Sequence, residues 1–317
     1  MPGLSVLNAT MPFKEKMPPS QSRVTLALVV STLFWGGSFV FNKLAFNEIP
    51  PVNFMFLRFS LATIIMALLS LRRLPRINRV IIRKGAIVGL ALGTANLTFV
   101  LGVNGTTISR AGFLNNLFVL IIPLLCFSLW RERVDRWTLA GIVLAVAGLW
   151  QLAGGSAEGF NRGDLLSTLT ALFIAVHIIL VSRLLRKEDI YLVTLTQFAS
   201  VAVLGAVLVL LLPETPYRIG IVSGAALIYC AIFPTIICFT LQNTFQRYTT
   251  PTKAGLIYTL DPVWSMLGGM IILGERLSIR EWLGCALILG AVVLPTAIRG
   301  YREKRLGIRY RRDRDQT

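Results

Sequence analysis

Three polar stripes interrupt otherwise apolar sequence. In residues 33–45, LFWGGSFVFNKLA, the side chains of Trp35, Ser38 and Asn42 are spaced i, i+3, i+7 and share one helix face. Thr170 and His177 stand i, i+7 in a second stretch. Tyr258, Asp261 and Ser265 repeat i, i+3, i+7 in a third, with Trp264 beside them. Hydroxyl, amide, indole and carboxylate groups in apolar surroundings suit recognition of a polar solute, and a carboxylate or imidazole can also hold a proton. A plainer role is open for each: Ser38 and Asn42 as interhelical hydrogen-bonding groups, His177 as a satisfied packing residue, Asp261 as a carboxylate bonded to neighbouring helix groups. No GxxxxGK[ST] loop and no HExxH pair occurs, and His177 is the single histidine, so an ATP-driven motor and an intramembrane enzyme are poorly supported. No metal or cofactor is expected.

The elements that carry these stripes must lie in a bilayer. The chain is 55% AVILMFWYC and 15% charged, with mean hydropathy +0.69. Apolar runs recur near 24–45, 52–71, 85–103, 111–130, 137–153, 163–183, 191–212, 220–242, 254–273 and 282–298, each long enough to cross a ~30 Å hydrocarbon core as a helix. Runs this long without alternation favour helices over barrel strands. The expected fold class is an all-α membrane protein with ten transmembrane helices. The first run is too long for a cleaved signal peptide, and Cys126, Cys230, Cys238 and Cys285 all fall within runs, as buried thiols rather than disulfides. The net charge of +17 resolves into topology: with the N-terminus inside, 25 Lys and Arg residues fall on inner segments and five on outer loops. That asymmetry predicts cytoplasmic termini, and the basic tail suits anionic lipid rather than nucleic acid. Lys43, at the outer end of its run, is read as snorkelling to water.

Further residues stand out within the runs. Gly36 and Gly37 permit close approach of a helix or solute. Asn96, Asn115 and Asn116 are polar candidates, and two adjacent asparagines ~100° apart predict that one of that pair faces a cavity. Arg58 is read as a structural or gating anchor. Pro123, Pro234 and Pro262 offer kinks, the last freeing the carbonyl of Tyr258. Glu132 and Glu275 are placed to cap the helices that follow them. Gly85, Gly89 and Gly93 form a ladder for helix packing.

An internal repeat orders these parts. RAGFLNNLFVLIIPLLCFSLWRER at 110–133 answers KAGLIYTLDPVWSMLGGMIILGER at 253–276 with an offset of 143, and an offset of 139 relates earlier positions. Five spans per copy, an odd number, turn the second copy upside down. Two inverted five-helix repeats, at 24–153 and 163–298, follow a cytoplasmic segment 1–23 and precede a basic tail 299–317. The chain resembles the drug/metabolite transporter superfamily in its ten-span, two-EamA-domain form, carried by LFWGGSFVFNKLA with FLRFSLA, LFVLIIPLLCFSLWRERV before AGIVLAVAGL, and TLDPVWSMLGGMIILGERLS before GCALILGAVVL. Asp261 stands where members often carry Glu before the Pro-Val pair.

That resemblance implies a secondary transporter of small metabolites in the bacterial cytoplasmic membrane, frequently an exporter. With Arg58 and Lys43 as the cationic candidates, a neutral or zwitterionic amino-acid-like solute is favoured. A nucleotide-sugar or drug carrier is the alternative within transport, and a membrane scaffold or lipid-processing protein the alternative outside it. The expected partners are the solute, the bilayer and, as an open possibility, a second copy of the chain.

Overall fold

The computed structural model describes residues 19–152, 159–186, 188–212, 216–273 and 278–314. Among them, α1 (Gln21–Phe46), α2 (Pro51–Leu69), α3 (Arg79–Gly105), α4 (Ile108–Asn115), α5 (Phe118–Trp130) and α6 (Arg136–Leu152) form the first half. The second half comprises α7 (Arg162–Leu184), α8 (Ile190–Leu211), α9 (Ile221–Cys230), α10 (Cys238–Phe245), α11 (Pro251–Tyr258), α12 (Asp261–Leu273) and α13 (Ile279–Arg314). No strand occurs among the described residues. Among the described residues, seven helical runs are long and apolar enough to cross a membrane; α6, at 17 residues, is shorter. The protein is a multi-pass helical membrane protein.

Helix starts follow local chemistry. Asn78 accepts the Ile81 N–H at 2.9 Å, and Asn161 with Asp164 completes a capping box at α7. Glu132 does not cap α6. Asp135 does, accepting the Trp137 and Thr138 N–H groups, while Glu132 pairs with Arg183 at 2.5 Å. Ser278 and Glu281 cap α13; the matching expectation for Glu275 lies outside the described residues. Residues 299–314, expected as a tail, continue α13.

The repeat is visible residue by residue. Ile108–Asn115 corresponds to Pro251–Tyr258, and Phe118–Trp130 to Asp261–Leu273, at the one offset of 143. Two runs expected as continuous are therefore broken at matching places. Packing interleaves the halves: α3 lies against α7 and α8, while the α9–α10 run lies against α1 and α2. Likewise α1 meets α12, α7 meets α5, and α6 meets α13. Each of these inter-repeat contacts has its counterpart under exchange of the copies. Small residues set the distances, as at Gly89, where a Cβ would stand 2.6 Å from the Gln197 carbonyl oxygen of α8. Large apolar side chains face outward, among them Leu210, Ile221 and Ile271, on the surface lipid must cover.

Candidate functional site

A cavity of ≈ 110 Å³ opens where α1, α2, α3, α7, α10 and the two broken runs converge. It can hold several waters at ~10–15 Å³ each. Its wall includes Trp35, Ser38, Arg58, Asn96, Asn115, Asn116, His177, Tyr258 and Asp261, drawn from both repeats. Phe39, Phe99, Phe118, Ile174 and Phe239 supply much of the apolar lining.

Breaks in the helices aim the polar groups. The first broken run ends α4 at Asn115 and restarts at Phe118, so Asn115 and Asn116 both reach the wall. The 100° separation expected of a continuous helix does not apply there. The break falls at 116–117, and Pro123 lies within the intact α5. In the second run the break spans Thr259–Leu260, directly before Asp261. Pro262 is then the second residue of α12, where a missing N–H costs nothing, and its ring belongs to a helix start rather than a mid-helix kink. Asp261 stands at that helix N-terminus, where the aligned peptide dipoles favour negative charge. Gly36 is what lets α1 lie there: a Cβ on it would meet the Asp261 carbonyl oxygen and lie 2.7 Å from Trp264 Cβ. Gly37 faces the Tyr229 hydroxyl instead, 3.1 Å from its would-be Cβ.

Several wall groups lack partners. Asn115 Nδ2 and Oδ1, Asn116 Oδ1, Gln242 Oε1 and Asp261 Oδ1 are buried without a hydrogen bond among the described residues. Such groups cost free energy unless a water or solute meets them. Others are engaged: Ser38 donates to the Trp35 carbonyl, Asn96 to that of Leu92, and Tyr258 to Gln246 Oε1 at 2.9 Å. Arg58 donates from Nε to Thr235 Oγ1 at 2.6 Å and carries no ion pair among the described residues.

His177 does not meet Asp261. Its Nε2 lies 3.1 Å from Gln197 Nε2, while Gln197 Oε1 accepts from Asn243 Nδ2. With the amides so oriented, Gln197 donates and His177 Nε2 accepts, leaving the ring proton on Nδ1. Asn42, Trp264 and Ser265 lie off the cavity wall. Asn42 is buried beside the Cys230 thiol, and Trp264 donates to Thr32 Oγ1 at 2.9 Å, tying α12 to α1. Phe239 and Gln242 lie inside the run 220–242 but belong to none of the polar stripes read from the sequence. The helical course continues to Tyr248, and the amide cluster Gln242, Asn243, Gln246 was the available signal.

The model of the EamA-like transporter family matches this chain twice, at residues 22–153 and 161–296. Relatives carry names of the same kind. An uncharacterized transporter of Archaeoglobus fulgidus is 28% identical over 269 residues, 85% of this chain and 84% of its own length. The uncharacterized inner membrane transporter YedA of Escherichia coli K12 is 27% identical, over 85% of this chain and 89% of its own. A crystal structure 22% identical in sequence matches 88% of this chain and 98% of its own with a TM-score of 0.74, a likeness of fold.

Proposed function

This chain belongs to the EamA-like transporter family, and we propose that it moves a zwitterionic, amino-acid-like solute across the cytoplasmic membrane by alternating access, in the direction of export. One observation carries the choice of solute: Arg58 and Asp261 line the same cavity without pairing with each other. A carboxylate can meet the guanidinium, an ammonium group the carboxylate, and the intervening aromatic wall a side chain. The unpartnered amides Asn115, Asn116 and Gln242 supply further hydrogen bonds. Asp261 also remains a candidate carrier of a coupled proton.

A nucleotide sugar would need several cations, and among the described residues Arg58 is the one Lys or Arg on the cavity wall. The ten-span, inverted arrangement with both termini in the cytoplasm belongs to the same proposal. It is supported by the matching breaks and by the excess of basic residues on one set of loops. Proteoliposomes loaded with a mixture of L-amino acids test the function. Efflux above empty liposomes is expected. No flux of any amino acid, with the protein folded, overturns the solute class, and no flux of any metabolite in a wider panel would leave a scaffold or lipid-processing protein.

A further inference from the structure

Span residues 221–245 are helical throughout but not uniformly so. Ala231–Ile237 form a π-helical segment with Pro234 inside it. An α-helix would offer the Cys230 carbonyl to the N–H of residue 234, which proline lacks. That carbonyl accepts from Thr235 Oγ1 at 2.7 Å instead. The wider turn also directs the Cys238 N–H to the Phe233 carbonyl, five residues back, and to that of Thr235, and so leaves the Pro234 carbonyl without it. Trp35 Nε1 donates to it at 2.9 Å. Arg58 Nε holds Thr235 Oγ1. Both groups that stabilise the turn from outside therefore come from the cavity wall.

We propose that this π turn is a rotating joint, and that Trp35 and Arg58 are positioning residues that hold its register until a solute in the cavity takes their donors. The consequence of release follows from helix geometry. If Trp35 leaves, the Pro234 carbonyl is orphaned, and α-helical register restores it a partner in the Cys238 N–H. Losing the extra residue turns everything beyond by ~100°. Phe239 and Gln242 line the cavity now; Cys238 and Leu241 would take their places. Gln246 would also leave Tyr258, the Ile178 carbonyl and Ser182, all of which it bonds while fully buried. One end of the cavity would thereby lose its polar seal. The coupling of joint to solute rests on the transport function proposed above; the joint itself does not.

Native Cys238 makes the rotation measurable. It is buried and donates to the Ser31 carbonyl. In nanodiscs, a protein with Cys238 as its single cysteine is compared with one carrying Gln242→Cys alone, using a water-soluble thiol reagent. Trp35→Phe, which keeps the ring and removes the donor, and Pro234→Ala, which restores the N–H, are introduced into both. Labelling of Cys238 is expected to rise about tenfold, the change for ~1.4 kcal/mol, while labelling at position 242 falls. Rates that rise together would mean loosening without rotation, and unchanged rates would mean no joint; either overturns the proposal. A mixture of L-amino acids added to the two parent proteins should produce the same reciprocal change. If the mixture is exported by proteoliposomes yet leaves both rates unchanged, the coupling falls. Absence of export with the variants still reciprocal removes only the solute class.

Discussion

Asp261 owes its position to the break before it and to the glycine opposite, and both can be probed one residue at a time. Asp261→Asn keeps the volume and removes the charge. Loss of one charge-assisted contact to a cationic group is expected to weaken solute binding ~10- to 100-fold. Transport kinetics in proteoliposomes measure this, and unchanged affinity and flux would leave the carboxylate a packing group. Gly36→Ala should destabilise the protein by ~1–3 kcal/mol, because its Cβ meets backbone of α12 that cannot move aside. Gly37→Ala needs only a shift of the Tyr229 hydroxyl and should fall within ~1 kcal/mol of wild type. Thermal unfolding in detergent compares the two. From the sequence the glycines were equivalent, since either could face a neighbour; the rotation of α1 about its axis, set by α12 and α9, separates them.

At the scale of elements, ties between helices decide which groups are free. Glu48, in the loop between α1 and α2, accepts from the Ser223 hydroxyl and from the Gly220 N–H, the latter at 2.9 Å, and so anchors that loop on the N-terminus of α9. The Ser223 hydroxyl, then the Gly220 N–H, hold its carboxyl below the usual carboxylate range. A depressed value in the folded state means that this stability is present above the unfolded glutamate pKa of ~4.3 and lost as pH falls through the folded one. Thermal stability of Glu48→Gln should therefore lie below wild type at neutral pH and converge with it in acid. A constant gap across that range would place the tie elsewhere.

Across the whole molecule, ion pairs join the repeats at both ends, with Arg110 meeting Asp164 at the end opposite the others. Arg73 meets Asp189, Lys84 meets Glu188, and Arg183 meets Glu132. All three lie in segments that the distribution of basic residues assigns to the cytoplasm. Being partly exposed, each contributes only ~0–1 kcal/mol to stability. Their shared location still ties the two copies together there. The orientation is checked in intact cells with an impermeant thiol reagent on a background without native cysteines. Asn47→Cys should label from outside, and Arg76→Cys only after the membrane is opened. The reverse pattern would turn the protein over.

The sequence by itself determined the membrane class, the two-copy plan and much of the cavity wall. Long apolar runs permit little but helices in a bilayer, and a polar residue within such a run announces itself because burying it is expensive. Trp35, Asn96, His177 and Asp261 were legible on that ground. Only the tertiary structure decided which polar residues share the cavity: Asn42 and Trp264 are taken up by other helices, and His177 is paired with Gln197 rather than Asp261. It also placed the breaks at 116–117 and 259–260 and the π turn around Pro234. Helix periodicity assumes an unbroken helix, and a break or an extra residue in a turn resets the face of everything beyond it. Such a reset is settled by hydrogen bonds from distant residues, Trp35 and Arg58 among them, which no local spacing encodes.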